Sequence, residues 1–188
     1  MSNLNILGIS GSLRAKSVNL AALKACGEVM PAGMSLKIAA LDDLPMYNFD
    51  LQEKGWPAAV QSLRDAMAGA DGVIFACPEF NWTISAPLKN AIDWLSRFPA
   101  GQQPFQNKPI ALISATGGPL GGARVQYDAR RVMGGLGGMV LGKPEVFIGM
   151  AQNKFVDGKL TDEPTRKFMT DQMVAFQDWI VRMQRAFA

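Results

Sequence analysis

The sequence has no histidine. Its absence excludes a Ser–His triad, a His-ligated metal and imidazole acid–base chemistry. Cysteine is scarce, at Cys26 and Cys77 only. The first falls within a helical pattern and the second closes an apolar run, so neither a disulfide framework nor a metal site is expected. A reducing cytoplasm is the expected compartment. Long apolar runs are missing: the longest stops well short of the roughly 20 residues of a membrane-spanning helix, and no basic n-region opens the chain. Charge is modest, at a net +3, and no Lys/Arg stripe interleaved with aromatics suggests nucleic acid.

What is present is an ordinary globular balance. Of 188 residues, 48% are apolar and 19% charged, enough for one domain over 1–188 with a full core. Short β-branched runs alternate with segments of helical period. Strands are expected at Leu4–Ile9, Met34–Ala39, Gly72–Ala76, Pro109–Ser114 and Met139–Ile148. Pro144 interrupts the last and marks an edge or a bulge. Val60, Leu63, Met67 and Ala70 share one helical face, and Leu88, Ala91, Ile92 and Leu95 another. A final helix carries Met169, Met173, Phe176, Ile180, Met183 and Phe187 on one stripe, behind a "TDEP" start with a cap and an early proline. The alternation implies an α/β fold, a doubly wound five-stranded parallel sheet with helices on both faces. Ligands of such folds sit outside the carboxyl ends of the strands, at the topological switch point. The loops after strands one, three and four therefore matter most.

The first of these, "ISGSLRAKSVN" (Ile9–Asn19), is a small-residue turn between strand and helix. Gly11 and Ser12 turn the chain, and Ser17 or its neighbour can cap the helix. Free N–H groups in the first helical turn make an anion site. Ser12, Ser17 and Asn19 add donors, and Arg14 a planar fork for a phosphate. The loop lacks the Gly-Lys-Ser/Thr of a Walker motif and the spacing of G-x-G-x-x-G, and it holds no cysteine nucleophile. After the third strand, "PEFNW" (Pro78–Trp82) offers polar and aromatic groups suited to a flat, partly polar ring. After the fourth, "SATGGPLGG" (Ser114–Gly122) has four glycines that let backbone approach a ligand closely. "GGLGG" (Gly134–Gly138) lies at the opposite end of the sheet and is read as a helix stop and turn.

Together, "GSLRAKSVN", "PEFNWTISAPLKNAIDWLSR" and "GGARVQYDARRV" resemble the NAD(P)H-dependent FMN reductase family, nearest to its bacterial quinone and chromate reductases. The similarity runs from the first strand into the final helix. It implies a flavodoxin-like sheet of order 2-1-3-4-5 holding FMN non-covalently, with NAD(P)H as co-substrate and a homodimer or dimer of dimers as the assembly. By position, Ser12, Arg14, Ser17, Val18 and Asn19 would hold the FMN phosphate. Pro78, Glu79, Phe80 and Asn81 would lie along the ring and ribityl chain. Ser114, Thr116 and Gly117 would approach from the third loop. Arg124 and Tyr127 are candidates for a substrate rim or a subunit contact. The pattern departs from the family at Phe80, where tyrosine is usual, at "ISAP" (Ile84–Pro87), and at Cys77, which sets a thiol near the expected flavin.

The resemblance implies that the flavin carries the chemistry, so no catalytic residue is assigned and histidine is not needed. The expected reaction is ping-pong transfer from NAD(P)H to a quinone, flavin, nitro or azo compound, or oxidised metal anion. The competing reading is a flavodoxin-like electron carrier that binds FMN without oxidising NAD(P)H. Such carriers are often strongly acidic, and the net +3 argues against it. A nucleotide-binding regulatory domain is the third.

Overall fold

The computed structural model describes residues 3–99 and 101–187. The chain runs through β1 (Leu4–Ser10), α1 (Val18–Val29), β2 (Met34–Ala39), α2 (Phe49–Glu53), α3 (Ala58–Ala68) and β3 (Gly72–Ala76). Next come β4 (Glu79–Phe80), β5 (Thr83–Ile84), α4 (Ala86–Leu95), β6 (Pro109–Ala115) and α5 (Ala123–Gly135). Then follow β7 (Met139–Val140), β8 (Val146–Ile148), the hairpin β9 (Phe155–Val156) and β10 (Lys159–Leu160), and α6 (Glu163–Ala186).

The main sheet is parallel, in the order β2-β1-β3-β6, with β7 and β8 both on the outer side of β6. β3 and β6 are buried along their whole length. Their unbroken apolar runs follow, because helices cover both faces of the sheet. On one face α1 and α6 pack Leu23, Met169, Met173, Phe176 and Ile180 against Ile6, Ile74 and Ile113. On the other, α3, α4 and α5 pack Val60, Met67, Leu88, Trp94, Val125 and Met133 against Leu7, Ile9, Phe75 and Leu112. Burying each such side chain contributes about 1.5–3 kcal/mol.

Two expectations need correction. The single fifth strand over Met139–Ile148 is two short strands, because after Leu141, whose N–H still donates to Ile110 O (2.8 Å), the chain leaves the ladder around Pro144, which has no N–H to give. Side chains from both faces take over there: Arg130 Nη1 donates to Leu141 O (2.8 Å), and Gln172 Nε2 to Pro144 O (2.9 Å). The stripe on α6 also ends early, since Phe187 is 49% exposed. At Ile180 the helix has already reached the start of β3, where a Cβ on Gly72 would lie 2.8 Å from Phe176 and Ile180 atoms. Beyond that point there is no strand to cover. The "GGLGG" segment behaves as expected: α5 stops, Gly137 adopts φ +75°, and Gly138 N closes on Met133 O at 2.9 Å.

Candidate functional site

The loop after β1 is fastened to its neighbours before it meets any ligand. Gly11 N donates to Ala76 O (2.9 Å), and Ser85 Oγ donates to Gly11 O (2.7 Å). A Cβ at Gly11 would stand 2.6 Å from that Oγ and 2.9 Å from Pro78 Cδ. Ser85, in the "ISAP" departure, thus welds the first loop to the second. Ser12 Oγ accepts from Arg14 N (3.4 Å). Ser17 caps α1, its Oγ accepting from Leu20 N (3.2 Å). The N–H groups of Val18 and Asn19 find no partner among the described residues. They stand at the positive end of the helix dipole, with exposed Arg14 on the same loop. Asn19 does something the sequence did not announce. It is 4% exposed, and its amide brackets one residue at the end of β6: Nδ2 donates to Ala115 O (2.8 Å) and Oδ1 accepts from Ala115 N (3.0 Å).

The loop after β3 is a tight hairpin. β4 and β5 pair antiparallel around Asn81 and Trp82, both left-handed at φ +49° and +68°. Positive φ at both central residues gives the backbone twist that two-residue hairpins prefer, though the second position usually holds glycine. Glu79 turns away to cap α5: Oε1 accepts from Arg124 Nε (2.9 Å) and Oε2 from Val125 N (3.2 Å). Asp128 of α5 in turn accepts from Thr83 Oγ1. That hydrogen bond, with help from the Arg131 guanidinium, holds the Asp128 carboxyl below the usual range, against a smaller opposing effect of burial. The hairpin is therefore tied to α5 at both of its strands. Its aromatics face out: Phe80 is 59% and Trp82 70% exposed, and the Arg124 guanidinium lies 4.5 Å from the Trp82 ring centre.

In the loop after β6, the glycines divide by role. Gly121 (φ +61°) is demanded by the protein's own backbone, because a Cβ there would meet the Phe147 carbonyl carbon at 2.6 Å. Gly117 is open, with nothing nearer its Cβ position than Gln152 Oε1 at 3.6 Å. Ser114 is fully buried: its Oγ donates to Gly121 O (2.6 Å) and accepts from Gln126 Nε2 (2.8 Å), so it props the loop from beneath.

The three loops close around a cavity of about 210 Å³. Ser12, Arg14, Ser17, Val18 and Asn19 form one wall, Pro78, Glu79 and Phe80 a second, and Thr116 and Gly117 a third with Ala115, which sequence reasoning missed. Asn81 and Ser114 lie outside it. Arg124 is bound to Glu79, and Tyr127 is 57% exposed with its hydroxyl 3.4 Å from Glu145 Oε2. Cys77 is fully buried in the core, and burial pushes its thiol up to about 12, as it does that of Cys26. Neither thiol serves the site. Among the described residues no group of three His, Cys, Asp or Glu side chains is placed to hold a metal, and no helix is long and apolar enough to cross a membrane. The cavity suits a phosphorylated ligand with a flat ring. It has unpartnered N–H donors, a guanidinium beside them, a glycine wall without Cβ, and a single carboxylate already neutralised by Arg124. Its volume is below the roughly 300 Å³ of a pocket that encloses a whole cofactor, so part of such a ligand stays exposed.

The three loops fall within the stretch that known proteins match. Residues 4–153 match the family described as NADPH-dependent FMN reductase. The chain belongs to that family. Among curated relatives, an NAD(P)H-dependent FMN reductase of Pseudomonas aeruginosa is 43% identical over 183 residues, covering 97% of this chain and 98% of the relative. A quinone reductase of Escherichia coli is 39% identical, covering 96% and 97%. Among solved structures, FerB of Paracoccus denitrificans, a flavoenzyme NAD(P)H:(acceptor) oxidoreductase, superposes with a TM-score of 0.86 at 32% identity, over 96% of this chain and 98% of that one. FMN and NAD(P)H, the cofactor and donor that the resemblance implied, are those of the family, and the flavodoxin-like sheet is that of its structural neighbours.

Proposed function

We propose that this protein is an FMN-dependent oxidoreductase that passes electrons from NAD(P)H to quinones, flavins, chromate or related small acceptors in ping-pong order. The observation that carries the reading is the convergence of three loops on one cavity at the carboxyl end of the sheet, with the unpartnered N–H groups of Val18 and Asn19 in its wall. When bound, FMN would supply the hydride- and electron-transfer chemistry between NAD(P)H and the acceptor. The chain's own residues bind and orient. Val18 N, Asn19 N, the Ser12 and Ser17 hydroxyls and Arg14 hold the phosphate. Charge-assisted bonds contribute roughly 1.5–3 kcal/mol each, so three supply about 5–9 kcal/mol against a micromolar requirement of about 8 and the losses of binding. Pro78 and Phe80 flank the ring from the hairpin, and Thr116 and Gly117 from the opposite loop, with Ser114 propping that loop through Gly121. Glu79 is tied to Arg124 and both thiols are buried, so protons come from water at the open side. Phe80, Gly117 and Gly118 are exposed there, and donor and acceptor use that side in turn. Self-association into a homodimer or dimer of dimers belongs to the same reading and is tested by mass measurement in solution.

The test is an anaerobic titration of the FMN-loaded protein with NADPH and then NADH, followed at the visible flavin band. Rapid bleaching is expected, and the faster donor is the preferred one. A flavin that stays yellow with both yet bleaches with dithionite sinks the proposal and leaves an electron carrier.

A further inference from the structure

Trp82 occupies a position that its residue type makes costly. It is the second central residue of a two-residue turn, at φ +68°, where glycine or asparagine sits without strain and a bulky side chain is an outlier. The indole gains little burial in return, since the residue is 70% exposed. It is nevertheless held in place. The Arg124 guanidinium covers one of its faces at 4.5 Å, and Arg124 is itself fixed by the Glu79 carboxylate at 2.9 Å. Strain without burial, kept by a three-residue brace, points to use of the uncovered face. That face stands at the tip of the hairpin whose base, Glu79 and Phe80, walls the cavity. Indole is the most electron-rich of the side-chain rings, and its complement is a flat, electron-poor ring.

We propose that Trp82 determines acceptor specificity, its free indole face stacking electron-poor aromatic acceptors of the quinone class. The inference rests on the oxidoreductase reading and concerns the acceptor alone. Arg124 is the positioning residue: it orients the indole and touches no substrate.

The test uses binding as well as turnover. Oxidised, FMN-loaded protein does not reduce a quinone, so the dissociation constant of a naphthoquinone is measured by calorimetry on the wild type and on Trp82→Asn and Trp82→Tyr. Asparagine accepts the left-handed backbone and removes the ring; tyrosine keeps a ring. Trp82→Asn should weaken quinone binding about three- to tenfold, the loss of one aromatic pair, and Trp82→Tyr should recover most of it. In turnover, KM for the quinone should rise in proportion in Trp82→Asn, with KM for ferricyanide unchanged. Equal quinone affinity in all three proteins overturns the inference, as does a parallel change for ferricyanide. A change in particle mass on Trp82→Asn also overturns it, placing the indole in a subunit contact. Absence of bleaching by NADPH in the wild type would instead count against the oxidoreductase reading, and the calorimetric comparison would still decide the role of Trp82.

Discussion

Replacing Asn19 should damage the fold and the cofactor site together. Its amide exchanges two hydrogen bonds with the backbone of Ala115, at 2.8 and 3.0 Å, and Ala115 is 2% exposed. In Asn19→Ala both the N–H and the C=O of Ala115 lose these partners in a buried place. Each unsatisfied group costs about 1–3 kcal/mol. With some entry of water the sum is about 2–4 kcal/mol, or a fall in melting temperature of roughly 5–15 °C for a chain of this length. Because Ala115 lines the cavity, FMN affinity should fall as well. Asn19→Asp sharpens the test. It keeps the acceptor for Ala115 N but sets a carboxylate oxygen against Ala115 O, so it should be as unstable as alanine at neutral pH. It should then recover partly in acid, where the carboxyl regains a proton to donate. Thermal melts of the apo protein at pH 7 and 5, with calorimetric FMN titration, read both effects. An Asn19→Ala protein that melts with the wild type and loses only FMN affinity would refute the clamp and make Asn19 a direct phosphate ligand alone.

Other outcomes follow from the same geometry. Gly11→Ala forces a methyl within 2.6–2.9 Å of Ser85, Leu88 and Pro78 and should lower stability by about 1–3 kcal/mol in urea unfolding. Gly117→Ala meets nothing closer than 3.6 Å, so it should melt normally while binding FMN more weakly. Neither cysteine should react with a thiol reagent at pH 8 in the native protein, since burial raises both to about 12, and both should react after unfolding. Asp128 is held below its ordinary 3.8, so its contribution is complete above that pH and is lost as pH falls through the lowered value. The melting temperatures of wild type and Asp128→Asn should therefore differ at pH 7 and converge in strong acid.

The strands and the capped turn after β1 were readable because their signals are local. Met34–Ala39 and Gly72–Ala76 coincide with expectation, and β1 and β6 each run one residue further. Of Ser17 and its neighbour, it is Ser17 that caps α1. The hairpin after Pro78 was not readable, because Asn81-Trp82 lacks the glycine that announces such turns. Contacts between distant residues also left no local trace. Glu79 reaches Arg124, Asn19 reaches Ala115 and Ser85 reaches Gly11, and only the folded sheet brings these partners together. Ser114 shows the limit of motif position: it stands in the glycine-rich loop after β6, yet its hydroxyl is spent beneath that loop on Gly121.

The central claim is that the α1 start and Arg14 hold the phosphate of a flavin nucleotide. The most direct measurement is a calorimetric titration of apo protein with FMN and with riboflavin, which differ only in that phosphate. FMN should bind in the micromolar range or tighter and riboflavin at least tenfold more weakly, since even one charge-assisted bond of about 1.5 kcal/mol gives that ratio. Equal affinity for the two, or binding of neither, would contradict it.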